Sequence, residues 1–170
     1  VTTEAGETSE IGFDFALIAV GTRAHRPDSV PFDKVRIFDS DEMLELGRLP
    51  RSLTVIGGGV IGVEYATIFS ALDVPVTLVE ARPTILDFVD REIADDFVHQ
   101  MRDRGMAIRL GSGIRSILAK PDCAEVTLED GRAIRSEIVL YAAGRTGNVG
   151  ALGLEIVGIE ADPRGRLKVD

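Results

Sequence analysis

The chain has 170 residues, a length that suits one globular domain or one domain with pieces of a neighbour. Its hydrophobic content of 45% is ordinary, and its aromatic content of 5% is low. Its formal net charge of −9 argues against nucleic acid or an anionic membrane as a partner, because both carry negative charge. No apolar run is long enough to span a bilayer, and the first residues lack the pattern of a signal peptide, so a cytoplasmic protein is expected.

The first fifty residues predict pieces of structure that lead up to a domain boundary. The chain opens without methionine on the hairpin-like VTTEAGETSE, which suggests a segment excised from a longer protein. The apolar run Phe13–Gly21 predicts a buried parallel strand. Asp39 or Ser40 is expected to cap a short helix that Gly47 ends, and a domain boundary is predicted after it.

From residue 53 onward, strand and helix segments alternate. In chain order they are the strand LTVIG, the helix VIGVEYATIFSALD, the strand VTLVE, the helix REIADDFVHQMRDRG and the strand AIRL. Asp90 is expected to cap the second helix and Gly105 to end it, with Ile93, Phe97 and Met101 on one apolar face. This order predicts a parallel, Rossmann-like sheet with right-handed crossovers.

Beyond Gly111 the hydrophobic period falls to two, which predicts an antiparallel β-meander with a hairpin turn at 129–131. The segment Ser136–Gly144 returns to the pattern of a buried strand, and the tail is turn-rich. The only cysteine, Cys123, has no CxxC partner and is expected to be an ordinary strand or loop residue. With two histidines in the chain, no metal site is predicted.

The stretch LTVIGGGVIGVEYA contains the motif Gly57-x-Gly59-x-x-Gly62 between a strand and a helix. Gly57 permits a tight turn, Gly59 lets backbone approach a pyrophosphate, and Gly62 lets the helix pack close to the sheet. The pyrophosphate is expected at the helix N-terminus, where free N–H groups favour negative charge. Glu80 follows about 20 residues later, where a carboxylate accepts hydrogen bonds from the adenosine ribose. The motif therefore predicts a dinucleotide site.

Charged residues near the motif leave the choice of cofactor open. Glu80 repels a 2′-phosphate and favours NAD, whereas Arg82 either pairs with that phosphate or is a solvated loop residue. The sequence thus favours NAD without excluding NADP. Glu64 in the first helix could be solvated on the outer face or point at the nicotinamide end, and helical geometry alone favours the solvated position.

Four stretches of the chain resemble the NAD(P)-binding domain of the pyridine nucleotide-disulphide oxidoreductases. They are ALIAVGTRAHRP, FDSDEML, IGGGVIGVEYATIFSALDVPVTLVEAR and LYAAGRTGN. The resemblance implies an α/β fold with a Rossmann-like parallel sheet and an antiparallel β-meander, of the three-layer FAD/NAD(P)-binding type. The family usually has proline where this chain has Gly147. In this departure the chain resembles the transhydrogenase branch of the family.

The family resemblance also implies a division of the chain and partners outside it. Residues 1–47 correspond to the end of the first FAD-domain segment with a connecting helix, 48–142 to the NAD(P)-binding domain, and 143–170 to the return into the FAD domain. The complete protein is then expected to bind FAD, to have a dimerisation domain and to form a homodimer. Cys123 aligns with none of the family's redox cysteines.

Cofactor-binding residues carried over by the resemblance lie in four short stretches. They are Gly57, Gly58, Gly59, Val60, Ile61 and Gly62 with Glu64; Glu80, Ala81 and Arg82; Ile114 near the adenine; and Ala142, Ala143, Gly144 and Arg145. The resemblance implies that Glu64 lies near the nicotinamide and the flavin. It also implies that Val60 occupies the position at which some relatives have a tyrosine that gates the nicotinamide pocket. No side chain in the chain is expected to act as a catalytic acid or base.

The implied function is hydride transfer between NAD(P)H and FAD, with soluble transhydrogenation (NADPH + NAD to NADP + NADH) as the leading form. A dihydrolipoyl dehydrogenase-like or mercuric-reductase-like disulphide oxidoreductase is the alternative, and a non-catalytic nucleotide-sensing module is a third. The 170-residue chain alone is expected to bind dinucleotide without turnover.

Overall fold

The computed structural model describes residues 2–3 and 5–169, which contain two α-helices and ten short strands. The helices are α1 (Val60–Ala71) and α2 (Arg91–Asp103), and single 3₁₀ turns lie at Glu42–Glu45 and Leu154–Val157. The strands are β1 (Thr22–Ala24), β2 (Ile37–Asp39), β3 (Leu53–Ile56), β4 (Val76–Val79), β5 (Ala107–Arg109), β6 (Ile114–Ala119), β7 (Ala124–Leu128), β8 (Ala133–Ser136), β9 (Ile138–Tyr141) and β10 (Arg145–Gly147).

A five-stranded parallel sheet forms the centre of the molecule, in the order β2-β9-β3-β4-β5. Its middle strand β3 is buried along its whole length, and Val55 is in register with Leu78 on one side and Leu140 on the other. Branched apolar residues fill these strands because both faces of the sheet are covered. The predicted Rossmann-like sheet is confirmed, and β2, which precedes the predicted boundary at 47, forms one edge of it.

Three layers stack in the order helices, parallel sheet and meander. Helices α1 and α2 contribute to an apolar core on one face of the sheet. The antiparallel strands β6, β7 and β8 cover the other face, where Val126 and Leu128 pack with Ile56, Val79 and Val139. A turn with Gly131 at φ +86° joins β7 to β8. The predicted meander and three-layer arrangement are therefore confirmed.

Helix α2 begins and ends where its sequence predicts, but its buried face differs. Asp90 accepts a hydrogen bond from the N–H of Glu92 at 2.9 Å, and Gly105 follows the helix at φ +87°. The buried residues are Ala94, Val98 and Met101.

The predicted face of α2 was wrong at Ile93, which is 63% exposed. Residues 93 and 94 point about 100° apart on a helix. Ala94 is the smaller of the two, so placing it inward lets the helix backbone approach the sheet closely.

The predicted buried strand at Phe13–Gly21 was also wrong. The segment has no regular structure, and Phe15 and Leu17 are 96% and 93% exposed. A strand needs a hydrogen-bonding neighbour along its length, and the pairing with β10 begins at Thr22, directly after the segment. The segment presents an apolar surface next to this two-stranded ribbon.

The predicted helix before Gly47 is a single 3₁₀ turn, and its N-cap is Asp41 rather than the predicted Asp39 or Ser40. Asp39 instead supports the start of the turn from two residues before the N-cap. Oδ1 of Asp39 accepts hydrogen bonds from the N–H groups of Asp41 and Glu42, both at 2.9 Å. Its Oδ2 accepts one from Arg26 at 2.6 Å. Within the described residues, no helix is long and apolar enough to cross a membrane.

Glu137 ties the segment before β3 to the start of β9. Its buried carboxylate forms an ion pair with Arg48 and accepts the backbone N–H of Arg51 at 2.6 Å. The hydrogen bond from Arg48 and that N–H outweigh the effect of burial and lower the pKa of Glu137 to about 2. A depressed pKa stabilises the fold above the ordinary value of 4.5, and the contribution is lost as the pH falls towards 2.

We expect Glu137→Gln to lower the free energy of unfolding by about 1–2 kcal/mol at neutral pH, because the exposed guanidinium of Arg48 is screened by solvent. The difference in unfolding free energy from wild type should disappear as the pH falls from 4.5 towards 2. Urea unfolding at neutral and acid pH measures both quantities. Glu45→Gln is the control, because Glu45 is exposed and has no hydrogen-bond or ion-pair partner among the described residues. A Glu137→Gln loss that is unchanged in acid would contradict the assignment.

Candidate functional site

A groove of about 490 Å³ lies at the carboxyl-terminal edge of the parallel sheet. The ends of β3, β4 and β9 lead into it, together with the start of α1. Its lining residues are Gly57, Gly59, Val60, Ile61, Glu80, Arg82, Ala142, Ala143, Gly144 and Arg164. In open parallel α/β sheets this edge is where ligands bind.

The glycines of the loop have distinct structural roles. Gly57 has φ +109°, and a Cβ there would lie 2.6 Å from the carbonyl oxygen of Ala142. A Cβ on Gly62 would overlap the carbonyl oxygen of Gly57, so α1 crosses the loop at a distance that only glycine allows. Nothing lies within 4 Å of a Cβ built on Gly59, which faces open space in the groove.

The first turn of α1 points its backbone N–H groups towards the groove. The helix begins at Val60 with Gly59 as its N-cap, and neither a capping side chain nor an acidic residue occupies its first turn. The first N–H groups of a helix have no acceptor within the helix, and the helix dipole adds partial positive charge there. This end of the groove is therefore suited to an anion.

Glu80 lies at the other end of the groove, directly after β4, and is 6% exposed. Its Oε2 accepts hydrogen bonds from the N–H of Gly58 at 2.5 Å and from Arg82 Nη2 at 3.1 Å. Its Oε1 accepts the N–H and Nε of Arg82 at 2.8 and 3.0 Å. The carboxylate thus holds the glycine loop and the strand end together.

Arg82 lies between two carboxylates. Its Nη1 forms an ion pair with Asp87 at 2.6 Å, in addition to its contacts with Glu80. Burial raises the pKa of Glu80, but the hydrogen bonds and charge of Arg82 and the N–H of Gly58 outweigh it and hold that pKa below its usual value. Glu80 is therefore ionised at neutral pH, and the positive charge of Arg82 is balanced.

Other residues carried over from the resemblance lie around the groove. Ile114 and Ala81 line a neighbouring hollow of about 250 Å³, which shares Ala143 with the groove. Within the glycine loop Gly58 is buried, and Glu64 is exposed on α1 and is not part of the lining.

Arg145 is turned towards the β1–β10 ribbon. Its Nε and Nη2 donate to the hydroxyl and carbonyl oxygens of Thr22 at 2.7 and 2.8 Å. Its Nη1 lies 3.4 Å from Oδ1 of Asp41. These contacts occupy the guanidinium outside the groove.

Sequence reasoning missed Arg164, whose guanidinium lines the groove and donates from Nη1 to the carbonyl oxygen of Ala143 at 3.2 Å. It lies in the polar tail, far along the chain from the glycine loop, and no spacing rule connects the two. Gly165, directly after Arg164, was the local indication of tight backbone packing.

The sequence profile described as pyridine nucleotide-disulphide oxidoreductase matches residues 1–170. The chain belongs to the pyridine nucleotide-disulphide oxidoreductase family.

Named relatives within this family include two soluble pyridine nucleotide transhydrogenases. The protein from Serratia proteamaculans (strain 568) is 42% identical over 165 residues, which cover 97% of this chain and 36% of the relative. The protein from Mycobacterium tuberculosis (strain ATCC 25177 / H37Ra) is 41% identical over 164 residues, covering 96% and 35%. The chain therefore spans a little over a third of the length of the curated relatives it matches.

Solved structures of the family share the fold. LpdA from Mycobacterium tuberculosis has a TM-score of 0.90 at 31% identity, covering 99% of this chain and 37% of that protein. The HOCl-induced flavoprotein disulfide reductase RclA from Escherichia coli has a TM-score of 0.76 at 32% identity, covering 89% and 35%. These alignments support the α/β architecture described above.

Proposed function

We propose that this chain is the nicotinamide-dinucleotide-binding part of a flavoprotein that transfers hydride from NADPH to NAD. The observation that carries the proposal is the groove in which the glycine loop, the start of α1 and Glu80 meet. One end offers N–H groups and partial positive charge to a pyrophosphate, and the other offers a carboxylate to a ribose. The soluble transhydrogenase names of its relatives support the pairing of NADPH with NAD.

The side chains and backbone of this chain bind and orient the nucleotide. We propose as its contact residues the fifteen carried over by the resemblance, with Glu64 near the nicotinamide, Ile114 near the adenine and Arg145 contributing through its backbone. FAD supplies the capacity to accept a hydride and to return it. The chain has one GxGxxG loop, and we assign that loop to the nicotinamide nucleotide. FAD is then held chiefly by parts of the complete protein outside these residues.

The exposed apolar segment 13–20 supports this division of the protein. A contiguous apolar surface on a folded domain is typical of a site that contacts another domain. We propose that residues 1–47 and 143–170 contribute to the FAD side of the protein, with β2 and β9 completing the nucleotide-binding sheet. A homodimer in the cytoplasm completes this proposal, and the relatives' designation as soluble supports the compartment.

The complete, FAD-loaded protein is expected to transfer hydride from NADPH to the thionicotinamide analogue of NAD. The reaction is followed by absorbance of the reduced analogue, and the FAD-free protein is the control. We expect the 170-residue chain alone to bind NADH without supporting transfer. Transfer by that chain without FAD, or binding of neither dinucleotide by the complete protein, would contradict the proposal.

The likeness to a flavoprotein disulfide reductase favours one alternative function. In that case the complete protein would be a dihydrolipoyl dehydrogenase-like or mercuric-reductase-like disulphide oxidoreductase. A CxxxxC pair in its remaining sequence and NADH-dependent disulphide reduction would support this alternative. Transhydrogenation without disulphide reduction would support the leading proposal.

A further inference from the structure

Two arginines line the groove, Arg82 and Arg164, and they differ in whether a carboxylate balances their charge. Arg82 is paired with Glu80 and Asp87. Arg164 has no carboxylate partner among residues 2–3 and 5–169, and Ala143 accepts a hydrogen bond from its Nη1. A guanidinium has five N–H donors, so most of those of Arg164 remain available to a ligand.

Nearby acidic groups do not neutralise Arg164. Asp162, two residues earlier, forms an ion pair with Nε of Arg166 at 2.7 Å, and its Oδ1 accepts the backbone N–H groups of Arg164 and Arg166. Burial and then the charge of Arg164 lower the pKa of His25, and the same charge opposes the rise that burial causes in the pKa of Tyr141. Neither side chain brings a negative charge to Arg164. The groove therefore holds one unbalanced positive charge among the described residues.

Gly144 provides the space that the guanidinium occupies. A Cβ on Gly144 would overlap Nη1 of Arg164, and the residue has φ +114°. Ala143, its neighbour, lies against the glycine loop, because a Cβ on Gly57 would be 3.1 Å from the Cα of Ala143. Through these contacts the guanidinium lies beside the loop that leads into α1.

A contact between two glycine backbones holds the turn that carries Arg164. The N–H of Gly147 donates to the carbonyl oxygen of Arg164 at 2.8 Å. A Cβ on Gly165 would lie 2.7 Å from the carbonyl oxygen of Gly147, and a Cβ on Gly147 would overlap that of Gly165. Proline at position 147 could neither donate this hydrogen bond nor fit this approach. The departure from the family pattern at Gly147 is therefore coupled to the position of Arg164.

We propose that Arg164 binds the pyrophosphate of the nicotinamide dinucleotide, and that Gly147 and Gly165 are the positioning residues that bring it into the groove. The inference rests on the proposed dinucleotide site and adds a specific contact to it. A charged guanidinium and the N–H groups at Val60 and Ile61 then meet the ligand's anionic centre from two sides. The pyrophosphate is common to NAD and NADP, so Arg164 strengthens the binding of both, whereas Glu80 and Arg82 lie at the end that distinguishes them.

The test uses the complete, FAD-loaded protein carrying Arg164→Gln, with NADH, NADPH and adenosine as ligands in calorimetry. We expect the Kd values of NADH and NADPH to rise by a similar factor, about tenfold or more, and that of adenosine to stay unchanged. The affinity of the variant should also depend less on salt than that of wild type. Arg164→Lys keeps the charge but loses the planar fork, and should restore part of the affinity.

The positioning role is tested with Gly147→Ala, which forces the turn away from β10. We expect it to weaken both dinucleotides, and to add little to the effect of Arg164→Gln in the double variant, because both changes remove the same contact. Gly150→Ala is the matched control, since its Cβ meets nothing within 4 Å. Additive losses would overturn the positioning role.

The outcomes separate this inference from the proposed function. Wild-type affinity in Arg164→Gln for both dinucleotides would overturn the pyrophosphate contact while leaving the dinucleotide site intact. A loss confined to NADPH would also overturn it, because it would place Arg164 at the 2′-phosphate. Failure of wild type to bind either dinucleotide would overturn the proposed function and this inference together. If FAD content and circular dichroism show that Arg164→Gln is misfolded, Arg164→Lys is used in its place. Wild-type affinity of Arg164→Lys for both dinucleotides would then overturn the pyrophosphate contact.

Discussion

Replacing Gly62 by alanine is expected to destabilise the chain by about 3 kcal/mol and to abolish dinucleotide binding. The added Cβ would overlap the carbonyl oxygen of Gly57, which is backbone and has no rotamer with which to move aside. Helix α1 would have to shift away from β3. That shift opens the core beneath α1, where Val63 and Ala66 are buried, and displaces the N–H groups of its first turn.

Gly59→Ala is the matched control in the same loop. Its Cβ meets nothing within 4 Å, and its φ of −80° suits any residue, so the loss of stability should stay below about 1 kcal/mol. The same Cβ would enter the space of a bound pyrophosphate, and dinucleotide affinity should fall by about tenfold or more. Comparing Gly62→Ala with Gly59→Ala therefore separates the role of the loop in folding from its role in dinucleotide binding.

Thermal unfolding and calorimetry with NADH measure the two effects. For a domain of this size, the Gly62→Ala loss corresponds to a fall in Tm of about 10 °C. A Gly62→Ala protein as stable as wild type would show that α1 does not approach Gly57 this closely. Wild-type affinity in Gly59→Ala would show that the loop backbone does not contact the pyrophosphate.

The central βαβ units were predictable because their determinants are local. Apolar, branched segments mark the buried strands, and the cap at Asp90 and the glycine at 105 mark the ends of α2. The glycine loop and Glu80 follow from spacing that reflects the geometry of one strand–helix–strand unit. These features come together in the groove as the sequence indicates.

The errors came from residues whose environment depends on distant parts of the chain. The apolar run Phe13–Gly21 has the composition of a buried strand, but burial also requires neighbours that cover the whole run, and Phe15 and Leu17 remain 96% and 93% exposed. Hydrophobicity ranks Ile93 above Ala94, whereas close packing against the sheet favours the smaller residue. A backbone contact between Gly147 and Gly165 positions the turn that carries Arg164. Such a long-range contact leaves no periodic pattern in the sequence from which it could be predicted.

The second large effect is expected at Glu80, where substitution should alter both stability and the choice between NADH and NADPH. Glu80→Ala leaves the buried N–H of Gly58 without its acceptor and removes one of the two carboxylates that balance Arg82. We expect the free energy of unfolding to fall by about 2–3 kcal/mol. Glu80→Gln keeps an acceptor for Gly58 and should lose about half as much.

The stability effect should depend on pH in a direction set by the pKa of Glu80. That pKa is depressed below its ordinary value, so the ionised carboxylate stabilises the fold above that value. The contribution is lost as the pH falls through the pKa of the folded state. Urea unfolding should therefore show wild type and Glu80→Gln converging on the acid side, and a difference that grows in acid would contradict the ion pair with Arg82.

The cofactor effect follows from the same contacts. Glu80→Ala removes the carboxylate that would bind the ribose, and should weaken NADH by about 1–3 kcal/mol. NADPH should be affected much less, because its 2′-phosphate loses a repulsive neighbour and meets an arginine balanced by Asp87 alone. Calorimetry with both nucleotides measures the ratio, and equal losses would show that Glu80 does not contact the ribose.

Asp87→Asn is the matched variant for this ratio. It removes the other carboxylate that pairs with Arg82, and the Asp87 side chain is 53% exposed. Glu80 keeps its contacts with Gly58 and Arg82. NADH affinity should then stay near that of wild type while NADPH affinity rises, because the charge of Arg82 is less fully balanced. If NADPH affinity does not rise, Arg82 does not reach the 2′-phosphate, and the preference between the two nucleotides rests on Glu80 alone.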